Sequence, residues 1–198
     1  MLLPIIPMPV TRSANRYNTG MRRRLQLHPE SSCFAVTHID AEVLRPQAHS
    51  FMFTYVVTGT ITDLAIPPVA TSTRADELWR HTCFEAFVGS SQSVAYYEFN
   101  FAPSTQWAAY RFSNYRTDLR VATEINAPQI AVRSNPERYV LQASVELSQL
   151  LFSRGSALRV GLSAVIEETS GHRSYWALAH PPGKADFHHS DSFALEVV

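Results

Sequence analysis

Cys33-Phe34-Ala35-Val36-Thr37-His38-Ile39-Asp40-Ala41-Glu42-Val43-Leu44 decides the fold class, because it alternates with a period of two. One face, Cys33, Ala35, Thr37, Ile39, Ala41 and Val43, stays largely apolar. The other carries Phe34 and Val36 and then turns polar at His38, Asp40 and Glu42. Side chains of an extended strand point alternately to opposite sides, so this pattern is that of a strand buried on one face. Downstream, Phe51 to Thr58 is rich in aromatic and β-branched residues, which suit a pleated surface. Gly59 interrupts the run, Thr60 to Ile66 resumes it, and Pro67-Pro68 ends it. This spacing predicts a hairpin turning near Thr58-Gly59.

The same period continues. Val69 to Glu77 is polar loop, followed by expected strands at Thr82–Val88, Ala95–Phe101 and Trp107–Phe112 with short turn-like connections. Weak strands are expected at Val121–Ile125 and Gln129–Val132, and firmer ones at Tyr139–Val145, Leu158–Glu167, Ser174–Ala179 and Phe193–Val197. Only Glu146–Phe152 resembles a helix. About ten strands without long alternating helices predict an all-β chain, a single-domain β-sandwich with at most one or two short helices. Residues 1–20, with Pro4, Pro7 and Pro9 followed by a polar run, are expected to form a flexible tail, and residues 21–198 the domain. Met21, where regular patterning starts, is a candidate start of the chain.

Composition removes several functions. Seventeen basic and seventeen acidic residues cancel, so no net field marks a nucleic-acid or anionic-membrane partner. Arg22-Arg23-Arg24 is too short a run for a phosphate patch and fits a solvated strand edge. Cys33 and Cys83 each lie in an apolar run, as buried inert thiols do, and two cysteines make no metal framework. Met1–Val10 is apolar but has no basic start and is too short to span a bilayer, so a cytoplasmic location is expected. No pattern sets an oligomeric state.

Candidates for chemistry are few. The seven glycines are scattered and form no phosphate loop, and no serine sits in a nucleophile elbow. Glu85 and Glu98 fall mid-strand in neighbouring expected strands, and Glu167-Glu168 end a third. Paired carboxylates of this kind can cleave glycosides at the right separation, but wet strand faces carry such residues without function. His180, His188 and His189 lie close together in sequence. Adjacent residues on a strand face opposite ways, which disfavours a joint metal site. Trp79, Trp107 and Trp176 stand beside polar residues at strand ends. An indole offers a flat apolar face to a sugar ring, although core packing is the commoner role of tryptophan.

The runs Asp76-Glu77-Leu78-Trp79-Arg80-His81-Thr82-Cys83-Phe84-Glu85 and Tyr96-Tyr97-Glu98-Phe99-Asn100-Phe101-Ala102-Pro103 resemble the DOMON-like superfamily, which includes the family 9 carbohydrate-binding modules. The tail from Ser174 to His189 resembles a set of small bacterial DOMON-like proteins, and the likeness spans about Leu25 to Val198. The resemblance implies a β-sandwich whose ligand is a sugar or a haem. It implies an aromatic clamp of Trp79 and Trp176, with Glu85 six residues after the first tryptophan and Glu98 and Asn100 as polar partners. His81 and the loop His180-Pro181-Pro182-Gly183-Lys184 depart from the sugar-binding pattern.

The expected function is therefore a non-catalytic module for a sugar or sugar-like small molecule. Its candidate site is Trp79, Arg80, His81, Glu85, Glu98, Asn100, Trp176, His180, Lys184 and His188. No metal, nucleic acid or membrane is expected, and no cofactor other than a possible haem. Haem would need axial donors from among Met52, His81, His180, Lys184 and His188, and no pair of these fits a haem motif. A hydrolase using Glu85 and Glu98 and a protein-interaction domain without a small ligand complete the alternatives. In the cytoplasm a soluble nucleotide sugar or a wall precursor fits better than a polymeric glycan.

Overall fold

The computed structural model describes residues 20–47, 49–147 and 157–197. It contains thirteen strands: β1 (Met21–Arg24), β2 (Gln26–Leu27), β3 (Val36–Gln47), β4 (Ser50–Gly59), β5 (Cys83–Ser90), β6 (Tyr96–Phe101), β7 (Trp107–Phe112), β8 (Arg120–Val121), β9 (Gln129–Asn135), β10 (Arg138–Glu146), β11 (Leu158–Glu167), β12 (Arg173–Ala177) and β13 (Leu195–Val197). Five strands form one antiparallel sheet in the order β1-β3-β4-β10-β9. The other runs β2-β12-β11-β5-β6-β7-β8, with β13 also paired to β11. The fold is a β-sandwich.

Alternation builds the core between the sheets. Phe51, Phe53, Tyr55 and Val57 of β4 face inward beside Val145, Ala143, Leu141 and Tyr139 of β10, which pair with them in that order. The opposite sheet supplies Phe84, Phe99, Phe101, Leu162 and Ile166. Phe84 stacks on Tyr139 with ring centres 6.0 Å apart, and the buried Tyr55 hydroxyl donates to the Glu85 carbonyl at 2.6 Å, tying sheet to sheet. Arg22 and Arg24 on the edge strand β1 reach Asp40 at 2.8 and 3.4 Å, as suits a solvated edge. Cys33 and Cys83 are free thiols, and Cys83 is buried.

Three expectations are corrected. Thr60–Ile66 is not a strand: Ile61–Asp63 forms a 3₁₀ turn, and β4 pairs with β3 and β10 instead. The register of β3 slips between Val36 and His38, a bulge that turns Val36 inward with Ile39 and leaves Thr37 exposed. The weak strand at Val121–Ile125 shrinks to Arg120–Val121. The short helix expected at Glu146–Phe152 lies largely outside the described residues, with Glu146 itself ending β10. The tail expected at 1–20 also lies outside them except for Gly20. Among the described residues no helix is long and apolar enough to cross a membrane.

The larger sheet has a second apolar side. Every residue of β5 and β6 is buried. On the face turned away from the core, Phe87, Tyr96, Tyr110, Phe112 and Val165 pack under Phe187 and Phe193 of the C-terminal segment. Asp186 fastens that segment by accepting from Tyr115 Oη at 2.6 Å and Arg116 at 2.8 Å.

Gly59 ends β4 where a Cβ would stand 2.1 Å from the backbone oxygen of Ala35, an atom that already accepts from the Thr60 N–H at 2.8 Å. Because the obstacle is backbone, it cannot rotate away. Gly59→Ala is expected to lower stability by about 1–3 kcal/mol, read as a lower urea midpoint. An unchanged midpoint contradicts this close approach.

Candidate functional site

The pairing of β5, β6 and β7 places Glu85, Asn100 and Ala108 in one row and Phe87, Glu98 and Tyr110 in the next. All six project from the outer face of the larger sheet, so three polar groups sit within an apolar surface. Val165 and Tyr175 extend the floor from β11 and β12, the 3₁₀ turn Leu78–Arg80 brings Trp79 to one rim, and Ala185, Phe187 and His188 form the roof. The result is a cleft of about 450 Å³. Trp79 is 38% exposed and meets Tyr110 edge-on at 6.0 Å. Two non-glycine residues in left-handed backbone flank the cleft, Glu77 (φ 61°) before the tryptophan turn and Arg116 (φ 50°) in the wall. Such conformations concentrate at sites where side-chain direction matters.

Charge in the cleft is governed by burial. Glu85 is 3% exposed, and its Oε1 has no hydrogen-bond partner among the described residues. Loss of solvent pushes its carboxyl well above the ordinary range, neighbouring Glu98 pushes it further, and Arg116 pulls back only in part. Burial likewise raises Glu98 to about 7, against the Asn100 amide, which donates to its Oε1 at 2.6 Å, and against Arg116. His188 moves the other way, down to about 4, through burial and then the Arg116 charge, with Asp186 opposing. Its Nε2 stands 3.6 Å from Glu98 Oε2, too long for a hydrogen bond. With His188 neutral at pH 7, that contact is not an ion pair. The other ring nitrogen lies 2.8 Å from the Tyr96 hydroxyl. The roof is anchored more simply. Burial disfavours the Asp186 carboxylate, but hydrogen bonds from Tyr115 and Arg116 outweigh it and hold the group below its usual range.

Of the candidates from sequence, Trp79, Arg80, Glu85, Glu98 and His188 line this cleft, and Asn100 lies beneath it as the support of Glu98. Four do not reach it. Trp176 is 5% exposed and faces the core between the sheets, its Nε1 donating to Ser174 at 3.0 Å; alternation turns Tyr175 to the cleft instead. His81, with a side chain 74% exposed, engages Glu167 Oε2 at 2.7 Å in a neighbouring depression. His180 contacts the Gln26 carbonyl at 2.8 Å and meets His28 edge-on, fastening the C-terminal segment to β2. Lys184 lies with Pro181 and Pro182 in a separate depression that shares Arg116 and Ala185 with the cleft. The haem candidate Met52 is on the outer face of the five-stranded sheet, between Leu44 and Ser144, so no haem pair converges here. Glu168 instead accepts the N–H groups of Phe34 and Ala35 at 2.7 and 3.0 Å.

Sequence reasoning missed Arg116, Arg173, Tyr110 and Tyr175 in the cleft walls. Tyr175 was detectable from alternation once the side taken by Trp176 was known. Arg116 comes from an irregular loop that carries no period.

No protein-family model matches the chain, and no curated protein matches it. Solved structures do. A Bacteroides uniformis protein provisionally described as carbohydrate-binding is 13% identical, with 86% of this chain and 83% of that one covered at a TM-score of 0.63. What is shared is the fold. A family 9 carbohydrate-binding module from Caldicellulosiruptor kristjanssonii in complex with glucose is 13% identical, covering 98% of this chain and 90% of its own at a TM-score of 0.47. The same organism's module with cellotriose gives 15% identity, 98% and 88% coverage, and 0.47.

The titration of Glu98 has a direction that can be tested. The folded chain keeps a proton on Glu98 that the unfolded chain releases near 4.5, so this contribution is whole below 4.5 and fades as pH rises through about 7. His188 acts oppositely, its contribution fading as pH falls from 6.5 through about 4. Glu98→Gln removes the first effect, eases the rise at Glu85 in the same direction, and leaves the His188 protonation site in place. Its melting temperature relative to the parent is expected to climb between pH 4.5 and 7, and parallel curves for the two proteins contradict the assignment.

Proposed function

We propose that the chain is a non-catalytic module that binds a sugar or sugar-like small molecule in the cleft over β5, β6 and β12. The observation that carries this reading is the Glu85 carboxyl, buried at the cleft floor with one oxygen that has no partner among the described residues. A buried polar atom left unpaired costs about 1–3 kcal/mol, and a ligand hydroxyl donating to it recovers that cost. Around it stand the groups that sugar recognition needs. The Trp79 indole and the Tyr175 ring offer flat apolar surface, while Glu98, Arg116 and Arg173 offer acceptors and donors. The carbohydrate-binding description given to the Bacteroides uniformis protein of the same fold supports it.

The mounting of the carboxyls supports binding over cleavage. Glycoside cleavage needs an acid and a base flanking the scissile bond. Glu85 and Glu98 rise from adjacent strands on one side of one sheet, and both are buried, Glu98 with an oxygen already engaged by the Asn100 amide. Haem is disfavoured because, among its proposed axial donors, His188 alone lines the cleft, with its ring nitrogens turned to Tyr96 and Glu98.

Trp79 is exposed enough to be replaced without opening the core. Trp79→Ala is expected to weaken binding of glucose or a glucose disaccharide at least about tenfold, or 1.4 kcal/mol, in calorimetric titration, with near-parental melting. Undiminished affinity in the variant contradicts the reading, and so does collapse of the fold, which would make Trp79 a core residue.

A further inference from the structure

We propose that the cleft prefers sugars bearing an anionic group, a carboxylate or a phosphate, and that Arg173 is the residue that holds that group. This deepens the sugar-binding reading and rests on it. Three guanidinium groups line the cleft: Arg80, Arg116 and Arg173. Two are already matched by carboxylates, Arg80 by Glu77 at 2.7 Å and Arg116 by Asp186 at 2.8 Å. Arg173 has no carboxylate partner among the described residues. One of its amino groups donates to the backbone oxygen of Arg80 at 3.1 Å, which fixes the head beside the tryptophan turn. Its cross-strand neighbour Glu167 is turned to His81 instead.

The floor does not cancel this charge. Burial pushes Glu85 towards its neutral form, leaves Glu98 only partly ionised at neutral pH and keeps His188 neutral. A cleft whose acids are pushed towards their neutral forms and whose rim keeps a guanidinium without a carboxylate partner favours an anionic group over a neutral one. A guanidinium takes carboxylate or phosphate oxygens through two parallel N–H donors, a geometry that a hydroxyl cannot match. The ligand that satisfies every group is a ring whose hydroxyls meet Glu85 and Glu98, whose flat face lies on Trp79, and whose anionic substituent reaches Arg173.

The experiment is calorimetric titration of the full chain, at low salt and neutral pH, with glucose, glucuronate, glucose 1-phosphate and inorganic phosphate. At least one of glucuronate and glucose 1-phosphate is expected to bind about tenfold or more tighter than glucose. Which of the two does so identifies the anion as carboxylate or phosphate. Added salt is expected to shrink the advantage, and in Arg173→Gln the ratio of anionic to neutral affinity is expected to fall towards one. Glucose bound as tightly as both anionic sugars overturns the charge preference and leaves the sugar reading standing. A preference that persists in Arg173→Gln overturns the role of Arg173. Inorganic phosphate bound as tightly as glucose 1-phosphate overturns the sugar part, and silence from all four overturns both readings.

Discussion

The structure depends on β5 and β6 being buried on both faces. A half-buried sheet needs only the partner sheet, but these strands carry Phe87, Tyr96 and the neighbouring Tyr110 and Phe112 on the side away from it. That side must be covered, and the chain covers it with its own C-terminal segment. Residues with the chemistry of ligands do the fastening. Asp186 takes Tyr115 and Arg116, His180 reaches the Gln26 carbonyl, and His28 reaches the Gly183 carbonyl at 3.0 Å. The cover packs on Phe87 and Phe112 and brings His188 to within 3.6 Å of Glu98, and the space left beneath it is the cleft.

Burial also fixes the electrostatics. A carboxyl removed from water favours its neutral form unless nearby cations repay the lost solvation. At Glu85 desolvation wins outright, helped by Glu98. At Glu98 the Asn100 amide and Arg116 oppose the rise, so both carboxyls on these adjacent strands are raised but against different opposition. Asp186, with hydrogen bonds from two side chains, goes the opposite way. Within a small space the same fold pushes two carboxyls above their ordinary range and holds a third below it.

Much of this was legible in the sequence because period two is a strong signal where a face is buried. Trp107–Phe112 and Leu158–Glu167 were expected at the bounds they occupy. The pattern failed where a local event changed parity. A bulge after Val36 flips the first residues of β3, and Gly59 leads into a 3₁₀ turn whose apolar Ile61 and Leu64 mimic a strand. In the candidate site, alternation shows that Tyr175 and Trp176 part ways but not which of them faces the core, so the second tryptophan was placed on the wrong side. The histidines misled for a different reason. Their spacing in the C-terminal segment reflects hydrogen bonds to β2 and to Tyr96, and a segment without a period gives no hint of what it covers. Arg173 reaches the cleft through the register of β12 on β11 and Arg116 from the loop after β7, and neither placement is written in a local pattern.

The central claim is that the outer face of the larger sheet, and not the space between the sheets, receives a ligand. The chain has three indoles that report on this separately: Trp79 at the cleft, Trp107 and Trp176 in the core. The direct test follows the indole N–H signals of all three by ¹H–¹⁵N NMR while glucose, and then glucuronate, is added. The account predicts a saturable shift of the Trp79 signal, with those of Trp107 and Trp176 almost still. Movement of Trp176 or Trp107 with Trp79 unchanged, or no response in any of the three to either sugar, contradicts it.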